Sequence, residues 1–407
     1  MVTVRCVLSL AVQNDWTLFQ LDVNNAFLYG SISEDVYMTL PEGYYNKNEN
    51  KVCKLVKSLY GLKQAPRKWN EKLTNVLLSV GFVQSTCDHS LFTYSKGVVF
   101  IVLLVYVDDI IITGNNETEI TKIKTLLSNT FQIKDLGVLK YFLGLEVIYD
   151  KSGICLNQRK YCIELLGEFG YLACKPVFTP IELSHVVNAR MSTCKESLKD
   201  ITSYQKLIGK LIYLSLTRPD ISYAVQYLSQ FMHYPLEIHL KIALRLLRYL
   251  KSSPGKGLVF KKGCDSELTC YVDSDWAKCL ITRKSVTGFC VFLGGNLVSW
   301  KSKKHSTVSR SIGEAEYRAM CSATCELVWI VNVLKELKVD CKLPIKLFCD
   351  SSAAIAIAAN PVFHERTKHF EIDLYFFREK VSIGFISTEK VDSESQLADV
   401  LTKGLSV

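Results

Sequence analysis

The sequence has 407 residues, of which 48% are hydrophobic and 22% are charged, and its formal net charge is +9. This composition excludes a largely disordered chain and suffices for two or three domains with cores of their own, while the modest positive charge permits an anionic partner without requiring one. The apolar run at residues 98–107 is shorter than the roughly 20 residues of a membrane-spanning helix, and no other candidate span is present, so we expect no membrane partner.

Cysteine and histidine are scattered along the chain. Its fifteen cysteines and seven histidines show no C-x-x-C motif and no paired ligand spacing. This pattern favours buried thiols in a reducing compartment over a disulfide framework or a zinc site. The segment HERTKH, residues 364–369, lacks the spacing of a zinc-protease helix, and we expect no metal ion there.

Residues 1–185 mix strand-like and helical patterns. Strands are predicted at residues 17–23, 98–107 and 141–149, and helices at residues 65–80 and 117–131. We therefore predict an α+β domain here.

Residues 186–264 are predicted to be helical. Lys241, Arg245, Arg248 and Lys251 are spaced by 4, 3 and 3 residues, so four cations share one helix face. That face is either simply solvated or follows the phosphates of a nucleic acid. The following segment SSPGKG breaks the helix, which suggests a domain boundary.

Residues 265–407 carry a new α/β pattern. Strand LTCYVDSD is followed by a hairpin that turns at Gly294, Gly295 and Asn296. A long helix over about 311–337, a strand at 345–350 and a helix at 351–360 are predicted next.

Three acids in the first region interrupt apolar strands. Asp108 and Asp109 lie between two apolar runs in LLVYVDDIIITG, as in a hairpin turn, and Asp22 ends the strand TLFQLDV. An ordinary acidic turn is the alternative, but adjacent carboxylates on an apolar sheet repel each other unless a cation neutralises them. Three such acids can hold two Mg²⁺ ions about 3.5–4 Å apart, which activate a 3′-hydroxyl and stabilise a leaving pyrophosphate.

The long helix of the last region carries two candidate acids. At 100° per residue, Glu316 lies on the apolar stripe that packs on the sheet, whereas Glu314 points away and pairs with Arg318 in solvent. We therefore predict that Glu316 is the functional acid of this helix.

Three further acids extend the set. Asp273 lies in strand CYVDSD, Asp350 ends strand IKLFCD, and Asp399 lies near the start of a last helix. One acid each from a first strand, a long helix, a later strand end and a terminal helix resembles the pattern of the ribonuclease H fold, and this resemblance implies a site for two Mg²⁺ ions. Structural acids are the alternative for any single member.

Motifs along the whole chain resemble one family. LDVNNAFLYG, VYMTLPEGY, SLYGLKQAPRKW, LLVYVDDIIITG and YFLGLEV resemble the reverse transcriptase motifs of copia-type long-terminal-repeat retrotransposons, and DSDWAK, EAEYRAM and ADVLTKGL extend the resemblance to the last residues. It implies a reverse transcriptase palm over 1–185, a helical thumb or connection over 186–264 and a ribonuclease H-like α/β domain over 265–407.

The resemblance also implies activities and partners. These are RNA-directed DNA polymerase and ribonuclease H activity, with Mg²⁺ or Mn²⁺ as cofactor, and dNTPs, an RNA/DNA template–primer and an RNA–DNA hybrid as partners. The family's DNA integration pathway further implies that the protein acts in the cytoplasm and the nucleus. The catalytic metal ligands would be Asp22, Asp108, Asp109, Asp273, Glu316, Asp350 and Asp399.

Nucleotide- and nucleic-acid-binding residues follow from the same resemblance. Phe27 corresponds to the aromatic gate that excludes a ribose 2′-hydroxyl, with an ordinary core Phe as the alternative. Tyr60, Gly61 and Gln64 correspond to the floor of the nucleotide pocket. A lysine-rich turn would either touch the hybrid backbone or be merely solvated; its members are Lys301, Lys303, Lys304 and Arg310.

The chain departs from the family pattern at its start. Only 21 residues precede Asp22, where the family has a fingers segment that clamps the triphosphate. We therefore expect weak or no polymerisation, whereas hybrid cleavage could survive. The alternative hypothesis is a catalytically inactive nucleic-acid-binding remnant of a degenerate transposon copy.

Overall fold

The computed structural model describes residues 1–44, 51–182, 197–263, 267–279, 281–359 and 371–404. They form two compact units, one of residues 14–143 and one of residues 1–13 together with 144–407. The domain boundaries predicted at 185 and 264 remain predictions. The segment HERTKH lies outside the described residues, and among those described no helix is long and apolar enough to cross a membrane.

The secondary structure alternates between strands and helices along the whole described chain. The α-helices are α1 (Val2–Gln13), α2 (Ala65–Val80), α3 (Glu117–Thr130), α4 (Arg159–Glu168), α5 (Ile201–Leu214), α6 (Ser222–Ser229), α7 (Glu237–Ser252), α8 (Ile312–Glu336), α9 (Ser352–Ala359) and α10 (Glu371–Ser382). The strands are β1 (Phe19–Val23), β2 (Tyr37–Thr39), β3 (Val52–Lys54), β4 (Phe82–Gln84), β5 (Leu91–Lys96), β6 (Val99–Tyr106), β7 (Asp109–Gly114), β8 (Ile133–Val138), β9 (Tyr141–Phe142), β10 (Leu145–Asp150), β11 (Gly153–Asn157), β12 (Leu258–Lys261), β13 (Leu268–Asp275), β14 (Val286–Leu293), β15 (Asn296–Lys304), β16 (Ile345–Cys349) and β17 (Ile386–Lys390). Short 3₁₀ helices cover Ala26–Tyr29, Pro219–Ile221, Ser393–Ser395 and Leu397–Leu401.

The unit of residues 14–143 is built on a six-stranded antiparallel sheet in the order β4-β5-β6-β7-β1-β8. Apolar residues of β1, β6 and β7 pack with the buried faces of α2 and α3 in one core. Asn116 caps α3, because its side chain accepts a hydrogen bond from Glu119 N at 2.9 Å. The predicted helices at 65–80 and 117–131 are confirmed to within one residue.

Two predicted elements between residues 141 and 264 are wrong. The strand predicted at 141–149 is interrupted, since Leu143 (φ 52°) and Gly144 (φ 75°) take left-handed conformations between β9 and β10. The predicted helical region ends early, because residues 258–261 form β12, which pairs with β11. Helices α4 to α7 share one hydrophobic core.

The C-terminal part contains a five-stranded sheet in the order β15-β14-β13-β16-β17. The strands β13, β14 and β15 are antiparallel, whereas β16 and β17 run parallel to β13. The hairpin turn between β14 and β15 is confirmed: Gly294 (φ 55°) and Gly295 (φ 79°) supply the two positive φ angles that such a turn requires. The predicted long helix is α8, and Ser311 caps it by accepting a hydrogen bond from Glu314 N at 3.2 Å.

Helix α1 packs on the same unit as this sheet, against β12 and β15. Arg5 of α1 is 4% exposed and donates hydrogen bonds to Val298 O at 3.2 Å and Leu216 O at 2.8 Å. Its guanidinium lies 3.8 Å from the centroid of the Trp300 ring, a cation–π contact. The first helix is therefore a built-in part of the C-terminal fold.

Candidate functional site

Three acids of the unit 14–143 meet at one end of its sheet; we call Asp22, Asp108 and Asp109 the hairpin cluster. Strands β1 and β7 are antiparallel with Asp22 directly opposite Asp109, and side chains in such a pair start about 5 Å apart. Val23 N donates to Asp108 O at 2.9 Å, which ties β1 to the turn that bears Asp108. The predicted neighbours are therefore brought together.

The turn between β6 and β7 has a strained backbone. It consists of Val107 and Asp108, and Val107 has a φ of 57°, a conformation that β-branched residues rarely adopt. The indole N–H of Trp69 donates to Val107 O at 2.7 Å. Trp69 is itself buried and packs edge-to-face on Phe131, with ring centroids 5.2 Å apart. A fixed indole thus holds the strained turn.

The electrostatics of the hairpin cluster favour a cation. Burial raises the pKa of Asp109, and the charges of Asp108 and Asp22 act in the same direction. Gln20 opposes these effects, because its side-chain amide donates to Asp109 Oδ1 at 3.2 Å. Half-buried carboxylates that repel each other are an all-oxygen donor set of the kind that hard divalent cations prefer.

The predicted nucleotide-pocket residues lie beside this turn. Phe27 is half-buried on the 3₁₀ helix Ala26–Tyr29, and its ring contacts that of Tyr60 with centroids 4.8 Å apart. Gly61 has a φ of 92°, and Gln64 immediately precedes α2. A cavity of about 190 Å³ is lined by residues that include Phe27 and Trp69. The nucleotide-binding role of these residues remains a prediction.

Four acids of the other unit converge on its five-stranded sheet; we call Asp273, Glu316, Asp350 and Asp399 the C-terminal cluster. Asp273 lies on β13 and Glu316 on α8, and each is 3% exposed. Asp350 follows β16, which is parallel to β13, and Asp399 lies in the 3₁₀ helix Leu397–Leu401. Four elements distant in sequence thus each contribute one carboxylate.

Burial and neighbouring charges shift the pKa values of two of these acids, Glu316 and Asp273. Burial raises the pKa of Glu316 to about 9, and the charges of Asp273 and Asp350 contribute to the rise. Burial likewise raises the pKa of Asp273 to about 6, with Asp399 and Asp350 adding to it. Buried acids that ionise only with difficulty fit a role as ligands of a divalent cation, which would supply the missing positive charge.

The sequence prediction missed two neighbours of Asp273. The hydroxyl of Thr402 donates to Asp273 Oδ2, and Lys403 Nζ lies 2.8 Å from Asp399 Oδ1 and 3.8 Å from Asp273 Oδ2. Both neighbours lower the pKa of Asp273 and so oppose the rise that burial causes. The i,i+4 spacing of Asp399 and Lys403 was the available signal.

A thiol also borders the cluster. Ligand atoms of Glu316, Cys349 and Asp350 all lie within 4.8 Å of one another. Cys349 ends β16, where its Sγ lies 3.9 Å from Glu316 Oε2. No spacing in the sequence pointed to this cysteine.

The prediction that Glu316, not Glu314, faces the other acids agrees with this arrangement, but the expected solvation of Glu314 is wrong. Glu314 is 2% exposed and accepts hydrogen bonds from Arg318 Nε at 3.0 Å and from Arg310 N at 2.7 Å. It therefore anchors the start of α8 instead of pairing in solvent.

Three of the four cations on α7 bind their own chain. Arg245 contacts Thr179 Oγ1 at 3.0 Å and forms an ion pair with Glu182. Arg248 Nε donates to Lys175 O at 2.9 Å, and Lys251 Nζ donates to Leu172 O; Lys241 is exposed. These contacts hold the segment 172–182 against α7, and the predicted phosphate contacts of this face remain a prediction.

The predicted lysine-rich turn is strand instead, because Lys301, Lys303 and Lys304 lie in the last residues of β15 and pair with β14. Lys301, Lys303 and Lys304 line a cleft of about 250 Å³ together with Arg318, while Arg310 is exposed. Lys304 Nζ also donates to Gln230 Oε1 at 2.6 Å. The cleft concentrates positive charge, and its nucleic-acid contacts remain a prediction.

Comparison with known proteins gives clear sequence relatives. A family model described as reverse transcriptase (RNA-dependent DNA polymerase) matches residues 1–183. The retrovirus-related Pol polyprotein from transposon RE1 of Arabidopsis thaliana is 46% identical over 99% of this chain, which spans 27% of that polyprotein's length. The corresponding protein from transposon TNT 1-94 of Nicotiana tabacum is 36% identical, and the match covers 99% of this chain and 31% of that protein. A putative transposon Ty5-1 protein of Saccharomyces cerevisiae is 34% identical, with 75% of this chain and 100% of that protein covered.

Solved structures match more weakly. The N-terminal RNase H domain of a Mycobacterium tuberculosis protein, a fusion with maltose binding protein, has a TM-score of 0.25 and 14% identity, covering 34% of this chain and 91% of that one. A foamy viral protease–reverse transcriptase in complex with dsDNA has a TM-score of 0.23 and 12% identity, and the match covers 92% of this chain and 68% of that one. Scores this low add nothing to the topology described above.

Proposed function

The chain belongs to the Pol polyprotein family of copia-type retrotransposons, and from this premise we propose that it combines two phosphoryl-transfer sites. The C-terminal cluster would cleave the RNA strand of an RNA–DNA hybrid, and the hairpin cluster would extend a DNA primer on an RNA template as the weaker of the two activities. Because the chain spans about a quarter of the RE1 polyprotein, both activities are proposals for this region.

Polymerisation is supported by the hairpin cluster. Asp22, Asp108 and Asp109 would hold two Mg²⁺ ions, which when bound would activate the primer 3′-hydroxyl and stabilise the leaving pyrophosphate. Trp69 holds the turn that carries Asp108, so the carboxylates keep their spacing without reorganising. Phe27, supported by Tyr60, would exclude a ribose 2′-hydroxyl beside this site.

Hybrid cleavage is carried by one observation, the convergence of four acids from four separate elements on β13. Nothing in the packing of an ordinary core requires burying Glu316 beside Asp273 and Asp350, since each charge raises the cost of ionising the next. Such an arrangement is typical of a site whose ligand is a divalent cation. Asp273 lies on β13, Asp350 follows the neighbouring parallel strand β16, and the two acids would define the position of the cation.

The test is cleavage of an RNA–DNA hybrid labelled on its RNA strand, with Mg²⁺ present. We expect the full chain to cut the RNA strand, and Asp273→Asn and Glu316→Gln each to lower the rate by at least about 100-fold. Asp275→Asn is the matched control, because Asp275 lies on the same strand but pairs with Lys278 at 2.6 Å. Hybrid binding without cleavage by the unsubstituted chain would instead support the inactive binding protein.

A further inference from the structure

Lys403 lies between two carboxylates of the C-terminal cluster. Its Nζ is 2.8 Å from Asp399 Oδ1 and 3.8 Å from Asp273 Oδ2, and its backbone N–H donates to Asp399 O at 3.0 Å. One helical turn therefore presents both an acid and the cation that neutralises it. The ammonium serves two acids that the chain brings together from residues 273 and 399.

The turn that bears Lys403 is held firmly against the sheet. Thr402 donates its hydroxyl hydrogen bond to Asp273, and the segment passes directly over Gly288 of β14. A Cβ on Gly288 would lie 2.7 Å from Thr402 Cγ2 and 2.8 Å from Leu401 Cβ, so only glycine permits this approach. The fold thus fixes the backbone of Lys403 beside the two acids, while its side chain keeps its own rotational freedom.

The ammonium and a divalent cation require the same oxygen atoms. Mg²⁺ binds carboxylate oxygens at about 2.0–2.1 Å, and here Asp399 Oδ1 and Asp273 Oδ2 already face Lys403 Nζ. Two cations held within a few ångströms by the same carboxylates repel each other strongly in a partly buried site. We propose that Lys403 is the resident counter-ion of the C-terminal cluster and that a divalent metal ion displaces it on binding.

The structure provides room for the displaced side chain. A cavity of about 320 Å³ borders Lys403 and is lined by residues that include Phe178, Tyr249 and Asp220. The carboxylate of Asp220 accepts hydrogen bonds from Arg218 and from the hydroxyl of Tyr249, both at 2.7 Å. A swing of Lys403 into this cavity brings its charge towards another carboxylate.

This inference rests on the proposed function, because it assumes that the C-terminal cluster holds a metal ion. It is tested by Mn²⁺ binding, followed through the magnetic resonance signal of free Mn²⁺, in the full chain carrying Asp22→Asn and Asp109→Asn, so that the C-terminal cluster dominates the signal. In that background Lys403→Met should bind Mn²⁺ about threefold to tenfold more tightly. Lys403→Arg, which keeps the charge, should bind like the parent.

Two controls make the result decisive. Lys346→Met removes a lysine that pairs with Glu267 on the same sheet, and it should leave Mn²⁺ affinity unchanged. Thermal unfolding in EDTA checks folding: Lys403→Met should unfold at a lower temperature than the parent and gain more from added Mn²⁺. Equal or weaker Mn²⁺ binding by Lys403→Met overturns the inference. If Asp399→Asn, introduced into the parent, does not weaken Mn²⁺ binding, the proposed function itself is overturned.

Discussion

The two acidic clusters solve the same electrostatic problem differently. In the hairpin cluster the acids are only half-buried, and a strained turn holds them with Trp69 bonded to its carbonyl. In the C-terminal cluster Asp273 and Glu316 are almost fully buried, and the fold supplies Thr402 and Lys403 as internal partners. Backbone strain therefore positions the acids of the hairpin cluster, whereas burial and an internal cation position those of the C-terminal cluster.

The largest expected effect separates the two clusters completely. Asp109→Asn should abolish the weak primer extension on an RNA template and leave hybrid cleavage intact, because the acids belong to different units. Glu316→Gln should do the reverse. Asp135→Asn, which removes a surface partner of Lys124, should change neither activity. Parallel loss of both activities in either variant would show that the clusters are not independent.

A large effect on stability should be confined to the C-terminal cluster. The folded-state pKa of Glu316 is about 9, above its ordinary value of 4.5, so between these values the folded chain binds a proton that the unfolded chain releases. Stability in EDTA should therefore fall as pH rises from about 5 to about 9, by on the order of a few kcal/mol. Denaturation of Glu316→Gln should show a much flatter pH dependence, and saturating Mg²⁺ should flatten that of the parent. An unchanged slope in Glu316→Gln would exclude Glu316 as its source.

A glycine tests how closely the C-terminal cluster is assembled. Gly288→Ala should destabilise the chain by about 1–3 kcal/mol and reduce hybrid cleavage, because the new Cβ would push the segment with Asp399 and Lys403 off β14. Gly209→Ala is the matched change, since its Cβ in helix α5 would meet nothing within 4 Å and should stabilise by up to about 1 kcal/mol. Chemical denaturation and the cleavage assay measure both; equal behaviour of the two variants would contradict the close approach.

The smallest effect should appear in the hairpin cluster. Trp69→Phe keeps most of the packing but loses the hydrogen bond to Val107 O, so primer extension should fall about tenfold. Trp300→Phe loses an indole hydrogen bond to Ser222 in the other unit and should leave extension unchanged. If Trp69→Phe extends primers as well as the parent, the strained turn does not need this bond.

Local patterns predicted the elements that carry the acids. Alternation and strand ends located Asp22 and Asp273, and a count of 100° per residue chose Glu316 over Glu314. Contacts between distant segments were not predictable in this way. The burial of Glu314, the approach of Lys403 to Asp273 and the cysteine beside Glu316 all depend on how strands pack after folding.

The basic face of α7 shows a related limit. Its spacing correctly placed the cations on one side of a helix, but spacing does not distinguish phosphate from backbone carbonyl as the acceptor. In the structure Arg248 and Lys251 donate to carbonyl oxygens of residues 175 and 172. Arg248 and Lys251 can contact a phosphate only after they release these carbonyl oxygens.

The docking of α1 has a practical consequence for dissecting the molecule. A fragment cut at residue 144 would leave the carbonyl groups of Val298 and Leu216 without the guanidinium of Arg5 and would uncover the apolar surface beneath Leu8 and Leu10. Such a fragment would need the peptide of residues 1–13 supplied in trans or fused through a linker. The unit formed by residues 1–13 and 144–407 is therefore discontinuous in sequence, and α1 is synthesised before the residues against which it packs.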